Sequence, residues 1–135
     1  MYHSFIDDNG SKYGSFEVFL SFNDTPTSPG WYWQSCFPGC LPDSAAVGPF
    51  NTASEAIANA VSEYDYVITL EEQTLSGGFG SAVCEALADK NIQKPILRIG
   101  LPERYIFENG SRDYHLDNNG LSVENIHSKI MEFIS

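Results

Sequence analysis

The stretch from Asp65 to Gly100 constrains the fold more than any other part of the chain. A short apolar run, a glycine-rich turn, a helical pattern and a second apolar run follow one another there. Tyr66–Leu70 reads as a strand, and its unbroken apolar character predicts burial on both faces. Residues 71–80 form the turn, with Gly77, Gly78 and Gly80. A helix is expected from about Phe79 to Lys90, with Phe79, Val83, Ala86 and Leu87 as its buried stripe. Lys90 stands where a cation suits the negative end of the helix dipole. Pro95–Gly100 is the next strand. A strand–helix–strand of this length predicts parallel strands joined by a right-handed crossover.

The chain ahead of this stretch follows another pattern. Residues 1–12 read as a lead-in with turn chemistry at Asp7-Asp8-Asn9-Gly10. Between Tyr13 and Phe22, Phe16, Val18 and Leu20 alternate with Glu17, Phe19 and Ser21, which is the period of a strand. Phe19 and Phe22 indicate that its second face is partly covered. After a proline-containing loop, Gly30–Phe37 is a second aromatic strand, expected to pair antiparallel with the first. Residues 37–50 carry three prolines and two glycines and read as a loop. Thr52 with Glu55 three residues on is a capping box that starts a helix. Ile57, Ala60, Val61 and Tyr64 form its apolar face. Beyond Gly100, a long connection leads to a short helix from Ser111. Ser122 then caps a final helix with Val123, Ile126, Ile130 and Phe133 on one face.

Together these elements predict one α/β domain over residues 1–135. Its mixed sheet would have about four strands flanked by about three helices. An antiparallel β-β-α unit is followed by a parallel β-α-β-α unit. A chain of 135 residues buries enough surface to fold without disulfides or metal. It contains no apolar run of the length a membrane span requires, roughly 18 residues. The acidic, polar start lacks the pattern of a secretory signal, so a cytoplasmic protein is expected.

Charge excludes one class of partner. The net charge is −11, and Lys12 is the only cation of residues 1–62, against six acids. Nucleic-acid binding depends on Lys and Arg neutralising phosphates, so no nucleic-acid partner is expected. No membrane partner is expected either. An acidic surface fits solubility first, and a basic protein partner second.

Several residues are candidates for a site. The turn Gly78, Phe79, Gly80, Ser81 feeds a helix N-terminus, whose free amides and dipole suit a phosphate or carboxylate. It lacks the lysine and spacing of a nucleotide-binding loop. The competing reading is that glycine lets the helix approach the sheet. Glu71 and Glu72 stand at the C-terminal end of a parallel strand, where open α/β sheets bind ligands. Being adjacent, they point to opposite faces, and one of them is placed to brace the glycine turn. Trp31, Tyr32, Trp33 and Phe37 are either core or a protein-binding patch, since aromatic residues dominate interface hot spots. Cys36 and Cys40 are either reduced thiols or a local disulfide. With Cys84 and the scattered His3, His115 and His127, they do not make the paired ligand set of a structural zinc. No metal, cofactor or catalytic residue is expected.

Two resemblances are carried by quoted strings. Asp65–Glu72, Gly77–Val83, Leu97–Arg104, Asn109–Arg112 and Gly120-Leu121 resemble, in order and spacing, the end of the C-terminal domain of the transketolase family. The pattern is that of the 1-deoxy-xylulose-5-phosphate synthases and of split transketolase-like subunits. The resemblance implies a thiamine diphosphate site built by two preceding domains. That family's cofactor motif and catalytic histidines have no counterparts in this chain, so it implies a fold segment and not the activity. Residues 13–61, including Cys36–Asp43 and Gly48–Phe50, resemble a family of small uncharacterised bacterial and phage proteins. A change of ancestry is therefore expected near residues 62–64.

These readings predict a non-catalytic scaffold or accessory domain of composite origin, a natural fusion or a laboratory chimera. One alternative is an acidic protein-binding module such as a phage-encoded inhibitor. The other is an accessory subunit of a thiamine-diphosphate-dependent, transketolase-like enzyme. A protein partner, or a homodimer through an open sheet edge, is the expected form of association.

Overall fold

The structure is a computed structural model and describes residues 5–6, 12–13, 16–22, 28–35, 44–62 and 64–135. The class is α/β, as expected. The described strands divide among three separate sheets and not one mixed sheet: antiparallel strands make two of them and the parallel pair the third. Two compact units result. The first comprises residues 1–64 with 86–92, and the second residues 65–85 with 93–135.

In the first unit, β1 (Phe5–Ile6) pairs antiparallel with β2 (Lys12–Tyr13). The larger sheet has the order β3 (Phe16–Ser21), β4 (Gly30–Ser35), β5 (Val47–Phe50). β3 and β4 pair in continuous antiparallel register from Phe16↔Ser35 to Ser21↔Gly30. The sequence predicts loop where β5 lies, because Gly48 and Pro49 are poor strand formers. It forms as an edge strand, where a missing N–H is tolerated. A register shift lies between its two pairings, Trp31↔Phe50 and Trp33↔Val47.

Helix α1 (Ala53–Val61) packs on this sheet. Thr52 accepts from the Glu55 N–H at 3.2 Å. Glu55 reaches back to the Asn51 N–H at 3.0 Å, one residue before the cap. Ala56 and Ala60 let the helix come down onto Trp33, with Phe16, Val18, Trp31, Val47 and Phe50 around them. The indole N–H of Trp33 donates to Asn59 Oδ1 at 2.8 Å, so its polar edge is satisfied. Phe19, on the second face of β3, is half-buried, whereas Leu20 and, just past the strand, Phe22 are exposed.

In the second unit, β6 (Val67–Thr74) and β7 (Ile96–Leu101) are parallel; between them in the chain runs α2 (Phe79–Asp89), which belongs to the second unit up to residue 85 and to the first from residue 86. β6 runs four residues beyond the expected end and is buried on one face only. Val67, Thr69 and Glu71 are buried, whereas Ile68 and Leu70 are exposed. An apolar run alone does not reveal this, since it leaves open how many layers flank the sheet. On α2, Val83, Ala86 and Leu87 are buried as expected, but Phe79 is exposed. Helical side chains lean toward the N-terminus, so a first-turn residue points past the helix end. The second unit closes with α3 (Arg112–Asn118) and α4 (Val123–Ile134), capped by Ser111 and Ser122. α4 packs against β7, and Phe133 meets Tyr66 edge-on at 5.6 Å. Val123, expected on its buried face, is exposed. It too opens its helix.

Candidate functional site

Two groups of polar residues lie toward the C-terminal end of β6, one on each face of the strand. They follow from the alternation of Glu71 and Glu72. Glu71 is buried, and its Oε1 accepts from the Gly80 N–H at 3.1 Å. A carboxylate of the chain itself thus stands at the positive end of α2, as a brace. The Ser81 and Ala82 N–H groups donate to the Gly78 carbonyl at 3.0 and 3.3 Å. The Gly80, Ser81 and Ala82 amides at the start of α2 are therefore bonded within the chain. Ser81 Oγ donates to the Leu75 carbonyl at 2.9 Å and accepts from the Gly77 N–H at 3.1 Å. Arg98, from β7, donates to both Ser81 Oγ and the Leu75 carbonyl.

Gly78 and Gly80 are what permit this closeness. A Cβ on Gly80 would stand 2.6 Å from Thr69 Oγ1, 2.8 Å from Arg98 Nε and 2.9 Å from Glu71 Oε1. A Cβ on Gly78 would collide with the Glu71 carboxylate and lie 2.6 Å from the Thr74 carbonyl. Thr69 Oγ1, Glu71 Oε2 and Arg98 Nε are buried here without a hydrogen-bond partner. Of the four turn residues proposed from sequence, Gly78 and Gly80 are buried, Ser81 is half-buried and Phe79 is exposed by more than half its surface. The close-packing role is thus visible in the geometry.

On the opposite face, Glu72 receives the Arg112 guanidinium in a two-pronged contact, with Nε donating to Oε2 at 2.9 Å and Nη2 to Oε1. Hydrogen bonding from Arg112 holds the Glu72 carboxyl below the usual carboxylate range, and its charge adds to this. Reciprocally, Glu72 raises the Arg112 guanidinium above its own. Beside the pair is an open cleft of about 300 Å³. Leu101, Ile106 and Leu116 give it an apolar floor, while Glu72, Glu108, Arg112 and His115 supply the polar rim. Sequence reasoning reaches Glu72 but not the cleft, because Arg112 is 40 residues away in the chain. The only sequence signal is the position of Glu72 at a strand end.

The other candidates are distributed elsewhere. Tyr32 and Trp33 are buried and Trp31 is half-buried, so these aromatics serve the packing of the first unit. Tyr32 stacks on Phe19 at 5.8 Å, and its hydroxyl donates to the Ser28 carbonyl at 2.7 Å. Phe37, Cys36, Cys40 and His3 lie outside the described residues. Cys84 is a half-buried free thiol on α2. Among the described residues no group of three or more His, Cys, Asp or Glu is placed to hold a metal ion. Among them also, no helix is long and apolar enough to cross a membrane.

A parallel strand–helix–strand joint closed by glycines, with a cleft at its strand ends, defines a segment of an open α/β domain. Residues 47–126 match the family model of the transketolase C-terminal domain, and the chain belongs to that family. It is 33% identical over 125 residues to a 1-deoxy-D-xylulose-5-phosphate synthase of Cupriavidus necator. That alignment covers 93% of this chain and 19% of the relative. The corresponding synthase of Cupriavidus taiwanensis is 32% identical over 91% of the chain, again 19% of the relative. That of Thioalkalivibrio sulfidiphilus is 44% identical over 73 residues, 53% of the chain and 11% of the relative. The chain thus spans about a fifth of the length of the first of these relatives. The family match begins at residue 47, ahead of the expected change of ancestry near 62–64, and takes in β5 and α1. The composite, chimeric origin finds no support in these matches.

Proposed function

We propose that the chain works as a non-catalytic C-terminal domain for a thiamine-diphosphate-dependent enzyme of the 1-deoxy-D-xylulose-5-phosphate synthase type. Its contribution is structural support for the catalytic part, carried on the same chain or on a separate one. The observation that carries this reading is the family match over residues 47–126, with synthases aligned along most of the chain. The geometry fits it. Each acidic residue at the strand end is bonded within the chain, Glu71 to the Gly80 amide and Glu72 to Arg112. A general base needs a carboxylate open to a substrate proton; Glu71 is buried, and both Glu72 oxygens accept from Arg112.

The test replaces the matching part of the Cupriavidus necator synthase with this whole chain and measures formation of 1-deoxy-D-xylulose 5-phosphate. The fusion is expected to be active, and the chain alone inactive with thiamine diphosphate added. A folded but inactive fusion would sink the reading. So would turnover by the chain alone.

A further inference from the structure

The connection between β7 and α3 exposes two large aromatic rings on an ordered base. Tyr105 is 85% and Phe107 86% exposed, with ring centroids 5.9 Å apart. Ile106, between them, turns the other way and lines the cleft. The base is held from several sides. Arg104 donates to Asn119 Oδ1 at 3.0 Å, and its N–H to the Pro102 carbonyl at 2.8 Å. Ser111 caps α3, and Arg112 ties that helix to β6 through Glu72. Two rings pushed into water from such a base leave apolar area uncovered, the pattern of an interface hot spot.

The cleft beside the rings says what would cover them. Its floor is apolar, and Glu72 and Glu108 stand on its rim. Arg112, the rim guanidinium, is already matched by Glu72. Lysine and arginine side chains have this complementary form, an apolar stem with a cationic head. The chain's net charge of −11 favours the same sign of partner. The relatives carry about four fifths of their length beyond the part that this chain matches.

We propose that the Tyr105–Phe107 ridge and the adjoining cleft form the docking surface for the catalytic part of the enzyme. That part inserts a lysine or arginine side chain over Leu101, Ile106 and Leu116, with its head at Glu108. This inference rests on the functional reading above and specifies the surface through which it acts.

The experiment uses the active fusion, which contains the whole chain, with a photo-crosslinking amino acid at position 105 or 107 and, as control, at Glu85 on α2. Crosslinks from 105 and 107 are expected to map to the catalytic part, next to a lysine or arginine. The variant E108K should lower their yield roughly tenfold, as loss of one hot-spot contact does. E85K, the same charge change elsewhere, should leave it unaltered. An active fusion whose 105 and 107 crosslinks map elsewhere, or are absent, overturns the docking surface and leaves the functional reading standing. Crosslinks to the same ridge of another copy make the occupant a second copy and overturn it too. Equal loss with E85K and E108K reduces the effect to overall charge, which likewise overturns the docking surface. A folded but inactive fusion removes the functional reading and this inference with it.

Discussion

At the scale of single residues, the joint between β6 and α2 is governed by the absence of side chains. Gly78 leaves space for the Glu71 carboxylate and for the Thr74 carbonyl, which a Cβ would approach to 2.6 Å. The carboxylate can shift, but the strand carbonyl cannot do so without disturbing β6. Gly78→Ala is therefore expected to destabilise the protein by about 1–3 kcal/mol, the usual cost of forcing atoms into a packed site. Chemical denaturation of the variant measures this, and an unchanged midpoint and slope would refute the close-packing role. The glycines and Glu71 are legible in the sequence as alternatives: an anion cradle or a tight joint, and one carboxylate or the other as brace. Deciding between them needs the strand's phase. That phase puts Glu71 on the buried side, where its own helix amide meets it. The phase in turn depends on which face α2 covers, which a run such as Tyr66–Leu70 does not record.

At the scale of elements, local signals are readable and distant ones are not. The caps at Thr52, Ser111 and Ser122 are written within four residues of chain, and all three form. β5 is hidden because its pairing with Trp31 and Trp33 is supplied by β4, against the local preference of Gly48 and Pro49. Phe79 and Val123 fit the apolar period of their helices but stand in the first turn, where a periodic count overstates burial. The tie between α3 and β6 is of the distant kind and has a consequence with pH. Hydrogen bonding from Arg112, reinforced by its charge, lowers the Glu72 carboxyl below its ordinary 4.5. A carboxyl lowered in the folded state stabilises it fully above the unfolded value. That contribution fades as pH falls through the lowered folded value. Followed by carboxylate NMR, Glu72 should titrate below 4.5 in the native protein and move back up in Arg112→Gln. The same midpoint in both proteins would show that the pair does not form in solution. Both side chains are more than half exposed, so the effect belongs to the local anchoring of α3 and is small for the whole fold.

At the scale of the whole molecule, charge acts on both stability and association. Eighteen acids face seven lysines and arginines, an imbalance read directly from the sequence. Like charges on a compact surface repel, and an expanded chain relieves that repulsion. The ion pairs work in the other direction, since Glu55 with Lys90 and Glu72 with Arg112 favour the folded form. Salt screens both, with a Debye length of roughly 10 Å at 0.1 M. These two pairs are at least a third exposed and weak, whereas the excess of eleven negative charges is spread over the molecule. The repulsive term should therefore dominate. Thermal unfolding is expected to shift to higher temperature as sodium chloride is raised from about 0.01 to about 0.2 M, the range over which the screening length shortens most in absolute terms. Replacing exposed acids away from both pairs, Asp65→Asn and Glu132→Gln, should mimic part of that shift in low salt and reduce the further gain on adding salt. A midpoint that falls with salt would mean that the ion pairs outweigh the repulsion. In that case ion pairs such as Glu55–Lys90 and Glu72–Arg112 would matter to the fold more than their exposure implies.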